Sequence, residues 1–229
     1  MSRLETPRMI AVGIRSTIKT FLPGLDRVSA EPHLSDESIA ALDEVLTHQS
    51  VLVEYGAGGS TIRFASKAGL LISVENDRRW ARSVTAAVSR ENSHNVRVLY
   101  RSLGLSTTWG NPLFRSPTPR RNQRWEQYVN APWEAIASLQ RPDQSGPVAV
   151  LVDGRLRVAS AIRSLLAIDA TSAHAVFVDD YDNRPHYRAI EKFTVEIGHY
   201  GRMRAFVKRT DFDDERAYTL LKSALEDHR

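Results

Sequence analysis

Val51-Leu52-Val53-Glu54-Tyr55-Gly56-Ala57-Gly58-Gly59-Ser60-Thr61 carries a short apolar run into an acid, then a glycine-rich turn, then the polar pair that opens Ile62-Arg63-Phe64-Ala65. This is the order expected of a buried parallel strand that delivers a tight turn to a helix N-terminus. Glycine matters here because a residue without Cβ lets the backbone bend sharply and approach a ligand closely. A helix start beyond the turn supplies unpaired N–H groups aimed at whatever the turn holds.

The next apolar run, Leu70-Leu71-Ile72-Ser73-Val74, ends in Glu75, 19 positions after Gly56. A strand–turn–helix–strand unit with an acid about 20 residues on is an arrangement that holds a ribose through its hydroxyls. The first βα unit therefore reads as a site for a nucleoside-containing cofactor.

Glu54-x-Gly56-x-Gly58 followed by Glu75 resembles the first two motifs of the class I S-adenosylmethionine-dependent methyltransferases. The resemblance implies an acid near the amino end of the cofactor's methionine part (Glu54), a turn that makes room for the cofactor, and a ribose-binding acid (Glu75). Two departures stand out. The family's commonest third glycine would fall at Ser60, and the sixth position of a dinucleotide fingerprint, usually Gly or Ala, is Thr61. Glu54 has no role in the dinucleotide pattern, which favours the methyl donor over NAD.

The chain has 229 residues, enough for one domain with a sizeable core. No apolar run has membrane-spanning length, and no signal-peptide pattern is expected at the start. With no cysteine there is neither a disulfide nor a thiolate metal site, which accords with a cytoplasmic setting. Thirty-one basic residues against 27 acidic ones leave a net charge of +4, too small an excess to argue for nucleic acid.

Residues 1–33 read as a basic amphipathic arm, a cover for the core, a homodimer contact or a weak membrane-surface helix, with Pro23-Gly24 ending its helical part. Residues 34–229 read as an α/β domain: a doubly wound, mostly parallel seven-stranded sheet of the Rossmann-like methyltransferase type, with a closing hairpin-like pair. Ser35 caps a helix ahead of the first strand, and a third strand spans Asn95–Tyr100. Between residues 104 and 146 the rhythm breaks. Trp109, Trp125, Trp133, five prolines and Arg115, Arg120, Arg121 and Arg124 fall there, with one short helix, Pro132–Leu139. This segment reads as an insert serving as a substrate-side flap.

Val148–Val152 then ends in Asp153, and Ala173–Val178 ends in Asp179-Asp180. Ligands of open parallel sheets bind outside the carboxyl ends of the strands, and Glu54, Glu75, Asp153 and Asp179/Asp180 all fall at that edge. For each acid alone, a strand-end turn or helix cap is the plain alternative. Asp153-Gly154-Arg155 together with Asn183-Arg184-Pro185-His186-Tyr187 is similar to a little-characterised bacterial group of methyltransferase-like proteins, a resemblance covering roughly residues 34–208.

The expected cofactor is S-adenosyl-L-methionine, bound by Glu54, Gly56, Ala57, Gly58, Ser60, Glu75, Asn76, Ser102 and Asp153. Asp153, Asp180 and His186 are the candidates for removing the acceptor's proton. Trp109, Trp133, Arg155, Arg184 and Tyr187 are the candidates for holding a small-molecule acceptor. An acidic acceptor suits the arginines, whose planar forks match carboxylate and phosphate oxygens. A magnesium site from Asp153, Asp180 and Asn183 is a looser alternative, and no metal is assigned. An NAD-dependent oxidoreductase and a noncatalytic methyltransferase-like binding protein are the rival readings.

Overall fold

The computed structural model of the chain describes residues 24–107, 110–139, 146–169 and 171–227. The expectations for residues 1–23 and for Trp109 lie outside them.

Four strands rich in Val, Leu and Ile are buried almost throughout and form the middle of the sheet: β1 (Val51–Tyr55), β2 (Leu70–Glu75), β4 (Val148–Val152) and β5 (His174–Val178). With β3 (Val96–Tyr100) at one end, these five pair in parallel. β6 (Thr194–Tyr200) and β7 (Met203–Lys208) complete the order β3-β2-β1-β4-β5-β7-β6. β7 runs antiparallel to both β5 and β6. The sheet is therefore mixed rather than mostly parallel. The reason is local: only Gly201-Arg202 separates β6 from β7, and a two-residue link can join only antiparallel neighbours.

Side chains alternate across the strands and divide the core in two. Leu52, Leu71, Leu151 and Phe177 pack with Leu42 of α1 (Asp36–Val45) and Phe64 of α2 (Gly59–Phe64). Val84 and Val88 of α3 (Arg78–Arg90) form a smaller cluster with Ala57. On the opposite face Val53, Tyr55, Val150, Val152 and Val176 meet α4 (Pro119–Ser138), α5 (Arg157–Ala167) and α6 (Asp214–Leu225). Among the described residues no helix is long and apolar enough to cross a membrane.

Of the segment expected as a substrate-side insert, Thr107, Asn111, Pro112 and Arg115 line the cavity described below, and the helical part belongs to the core. Twenty of the segment's residues are α4, the crossover helix between β3 and β4. Thr118 caps it by accepting from the Arg121 N–H, and Pro119 stands in the first turn, where a missing N–H costs nothing. Pro132, read from sequence as a helix start, lies inside the helix instead. Trp125 and Tyr128 are fully buried in the main core. Burial of side chains this large contributes roughly 2–3 kcal/mol each, so they hold the fold together rather than cover a substrate.

Candidate active site

At the carboxyl edge of the sheet the turns after β1, β2, β4 and β5 surround a cavity of about 1040 Å³. That is the upper end of the size range of small-molecule sites. Gly56, at φ +98°, makes the turn after β1, and its N–H donates to the Val74 carbonyl at 2.9 Å. A Cβ at Gly56 would lie 2.8 Å from the Gly154 Cα; one at Gly154 would meet the Tyr128 hydroxyl and the Gly56 nitrogen. Two glycines thus let the turns after the two central strands close on each other. Trp80 of α3 fastens the turn by donating its indole N–H to the Ala57 carbonyl at 2.7 Å. Nothing lies within 4 Å of a Cβ built on Gly58, so the space above the turn is open.

Of the two acids in the motif, one faces inward and one faces the cavity. Glu54 is fully buried and accepts from the hydroxyls of Ser60 and Thr61, both at 2.5 Å. Thr61 Oγ1 in turn accepts from the Gly58 N–H. Burial raises the Glu54 pKa. Glu54 does not line the cavity: alternation along β1 sends it to the α2 side with Leu52, where it staples the turn to the helix. Glu75 does line the cavity. Its Oε1 accepts from the N–H groups of Asn76 and Asp77, at 2.6 and 2.7 Å, while burial pushes its pKa up to about 7.

The acids after β4 and β5 gather around a buried arginine that interlocks them. Arg157 donates to the carbonyls of Gly154, Asp153 and Asp179 and to Asp153 Oδ1 at 2.9 Å, and it pairs with Asp180 at 3.2 Å. Arg202, from the β6–β7 turn, pairs with Asp179 at 3.0 Å and with Asp180 at 3.3 Å. Arg184 reaches Asp180 at 3.6 Å. Burial raises the Asp153 pKa against the pull of Arg157. Oxygens of Asp153, Asp179 and Asp180 lie within 4.8 Å of one another, but these arginines already supply the counter-charge. Asn183, the further ligand weighed for magnesium, is exposed.

Gly56, Ala57, Gly58, Ser60, Glu75, Asn76, Asp153, Arg155, Asp180, Arg184, His186 and Tyr187 all line the one cavity. Glu54, Ser102 and Trp133 do not. The Ser102 hydroxyl accepts from the Gly104 N–H instead. Trp133, expected at the substrate, packs on the core and donates to the Tyr55 hydroxyl at 3.0 Å, because α4 turns that face onto β1. Of the arginines expected to gather there, Arg115 lines the cavity, whereas Arg120, Arg121 and Arg124 line a smaller one.

Sequence reasoning missed the wall supplied by Ser29 and Glu31. Their carbonyls pass so close to Gly59 that a Cβ there would collide with them. Gly59 was the available signal: an extra glycine at the first position of the helix. Asp26 anchors the same segment, pairing with Arg79 at 3.0 Å and donating its N–H to Ser83. Arg202 was also missed, since nothing in the sequence near it announces Asp179.

No family model matches the chain, and no curated protein does. Among solved structures it is similar to a methyltransferase-like protein from Silicibacter pomeroyi, with 26% identity over 87% of this chain and 99% of that one and a TM-score of 0.69. More distant are an rRNA methylase from Streptococcus thermophilus (12% identity, 75% and 93% covered, TM-score 0.43) and a tRNA (m1A58) methyltransferase from Aquifex aeolicus (14%, 86% and 72%, TM-score 0.40). The strand order, the carboxyl-edge cavity and the first of these likenesses define a class I methyltransferase fold. The chain belongs to that superfamily.

Proposed function

We propose that the chain binds S-adenosylmethionine in this cavity and transfers its methyl group to a small acceptor carrying an acidic group. The observation that carries the reading is the convergence of the open Gly56–Gly58 turn and the buried Glu75 carboxylate on one wall. The residues suit the group. The turn offers open space over Gly58, and Glu75 has a second oxygen, Oε2, that takes neither of the backbone bonds made to Oε1. A ribose hydroxyl is the natural donor to such a carboxylate. The cofactor supplies an electrophilic methyl on a sulfonium, which passes to the acceptor atom as that atom gives up its proton.

The chain's own part is to orient and to accept that proton. His186 lines the cavity, its ring edge-on to Tyr187 with centroids 4.5 Å apart, and its imidazole can take the proton from an acceptor hydroxyl or amine. Asp153 and Asp180 are held by Arg157, which suits them to fixing the geometry of the wall. Arg155 and Arg115 line the same cavity and provide the positive charge for an acidic acceptor. Against the dinucleotide alternative stands the sheet itself, since the usual dinucleotide order is parallel throughout and this one places antiparallel β7 beside β5. Thermal melting with S-adenosylhomocysteine and with NAD is the test, because a ligand that binds only the folded chain raises its melting temperature. The homocysteine compound is expected to raise it and NAD to leave it unchanged. Turnover in an acceptor screen then separates an enzyme from a binding protein.

A further inference from the structure

Behind the loop that walls the main cavity lies a second one of about 290 Å³, lined by Leu103, Leu105, Phe114, Arg120, Arg121 and Arg124 together with Gly104 and Thr118. Phe114 and Arg115 are neighbours in sequence and line different cavities, so one stretch of chain separates the two. No acidic side chain lines the smaller cavity. Arg121 donates to the Ser116 carbonyl at 2.8 Å, and its guanidinium lies 5.1 Å from the Phe114 ring centroid. No ion pair is found for Arg120, Arg121 or Arg124 among the described residues, in contrast to Arg157, Arg184 and Arg202.

The placement of these charges works against the helix that carries them. Arg120, Arg121 and Arg124 stand in the first two turns of α4, whose first turn has no acid. Cations near a helix N-terminus oppose the helix dipole, and like charges at i and i+4, as at Arg120 and Arg124, repel. A local rule broken with no acidic partner among the described residues to offset it is the mark expected of a functional position. An anion in the cavity would relieve both conflicts. Beside the arginines, Leu105 and Phe114 are 41% and 39% exposed, a patch of apolar surface next to the charge.

We infer that this second cavity binds a small phosphorylated molecule, with its phosphate held by Arg120, Arg121 and Arg124 and an apolar or aromatic body against Leu105 and Phe114. Arginine forks match phosphate oxygens in pairs, and a volume of about 290 Å³ suits one compact group rather than a track for a polymer. A role for this molecule as the methyl acceptor, anchored here and reaching past the loop, rests on the methyl-transfer reading. Its binding does not.

Phenyl phosphate titrated calorimetrically into the full chain at low ionic strength tests the inference. One saturable equivalent is expected, weakening as salt is added, with phenol giving no binding. The Arg120→Gln/Arg124→Gln variant should lose affinity by roughly tenfold or more while S-adenosylhomocysteine binds it as it binds the parent. The Arg120→Lys/Arg124→Lys variant should retain part of the phosphate affinity. Equal melting temperatures for parent and variants show that the fold is intact. Absent binding at low salt, or affinity unchanged in the glutamine variant, overturns the inference. Tighter binding of a short oligonucleotide through the same arginines also overturns it, in favour of nucleic acid. Phenyl phosphate binding alongside failed S-adenosylhomocysteine binding would retain this site and remove the proposed function.

Discussion

Gly56 and Gly154 stand back to back at the carboxyl edge, so close that a Cβ on the first would lie 2.8 Å from the Cα of the second. The contact joins the turns after the two central strands, β1 and β4, whose residues run in parallel register from Val51↔Val148 to Tyr55↔Val152. Everything the cavity holds is positioned by how closely these two turns approach.

Gly56→Ala is expected to destabilise the fold by about 2 kcal/mol or more, since it adds both a clash and a side chain at positive φ. Gly58→Ala is expected to change stability by less than about 1 kcal/mol, because its backbone is extended and its Cβ meets nothing, yet to weaken S-adenosylhomocysteine by intruding on the open turn. Denaturant unfolding and ligand titration of the two variants check this. Equal stability losses would contradict it.

Glu75 should make both stability and binding depend on pH. Its pKa is raised to about 7 when folded, from an ordinary 4.5, with burial as the chief cause. The folded chain therefore holds this proton more tightly than the unfolded chain, so the contribution of Glu75 to stability is lost as pH rises from about 4.5 through about 7. Glu75→Gln should remove that component and raise the melting temperature of the ligand-free chain at pH 8. Ribose hydroxyls donate to the ionised carboxylate, so S-adenosylhomocysteine affinity should climb through about pH 7 in the parent. In the variant it should be weak, and its rise through about pH 7 should be smaller, with Asp153 the remaining cavity acid whose pKa burial raises.

Glu54 should behave as a structural acid. Glu54→Ala leaves the buried hydroxyls of Ser60 and Thr61 without their acceptor and should cost about 2–4 kcal/mol. Glu54→Gln keeps one acceptor and should cost less. Chemical denaturation of both variants gives the comparison, and loss of ligand binding with undiminished stability would contradict the assignment.

Trp125→Ala should cost about 3–5 kcal/mol, because its side chain is fully buried in the main core. Ligand should not alter the emission of Trp125 or Trp133. It should alter that of Trp80, which lines the cavity and bonds to Ala57. Single-tryptophan variants would show which of these reports binding.

The strands and the edge they share were legible because buried parallel strands are short, mainly apolar runs that end abruptly in Glu75, Asp153 and Asp179. Which acid faces the cavity was harder to read. Both Glu54 and Glu75 fit the motif, and only the position of α2 decides that Glu54 is taken up by Ser60 and Thr61. The segment from 104 to 146 misled because Pro132 reads as a helix start, whereas the true start at Pro119 lies among arginines that lower helical signal. Pairings such as Arg202 with Asp179 link the β6–β7 turn to the end of β5, 23 residues away, and leave no trace in local pattern.

Calorimetric titration of the full chain with S-adenosylhomocysteine at pH 8, repeated with Glu75→Ala, tests the central claim most directly. The account predicts one equivalent bound by the parent and affinity lower by at least about tenfold in the variant, with both chains folded. No binding at millimolar ligand, or binding that Glu75→Ala leaves unchanged, would contradict it.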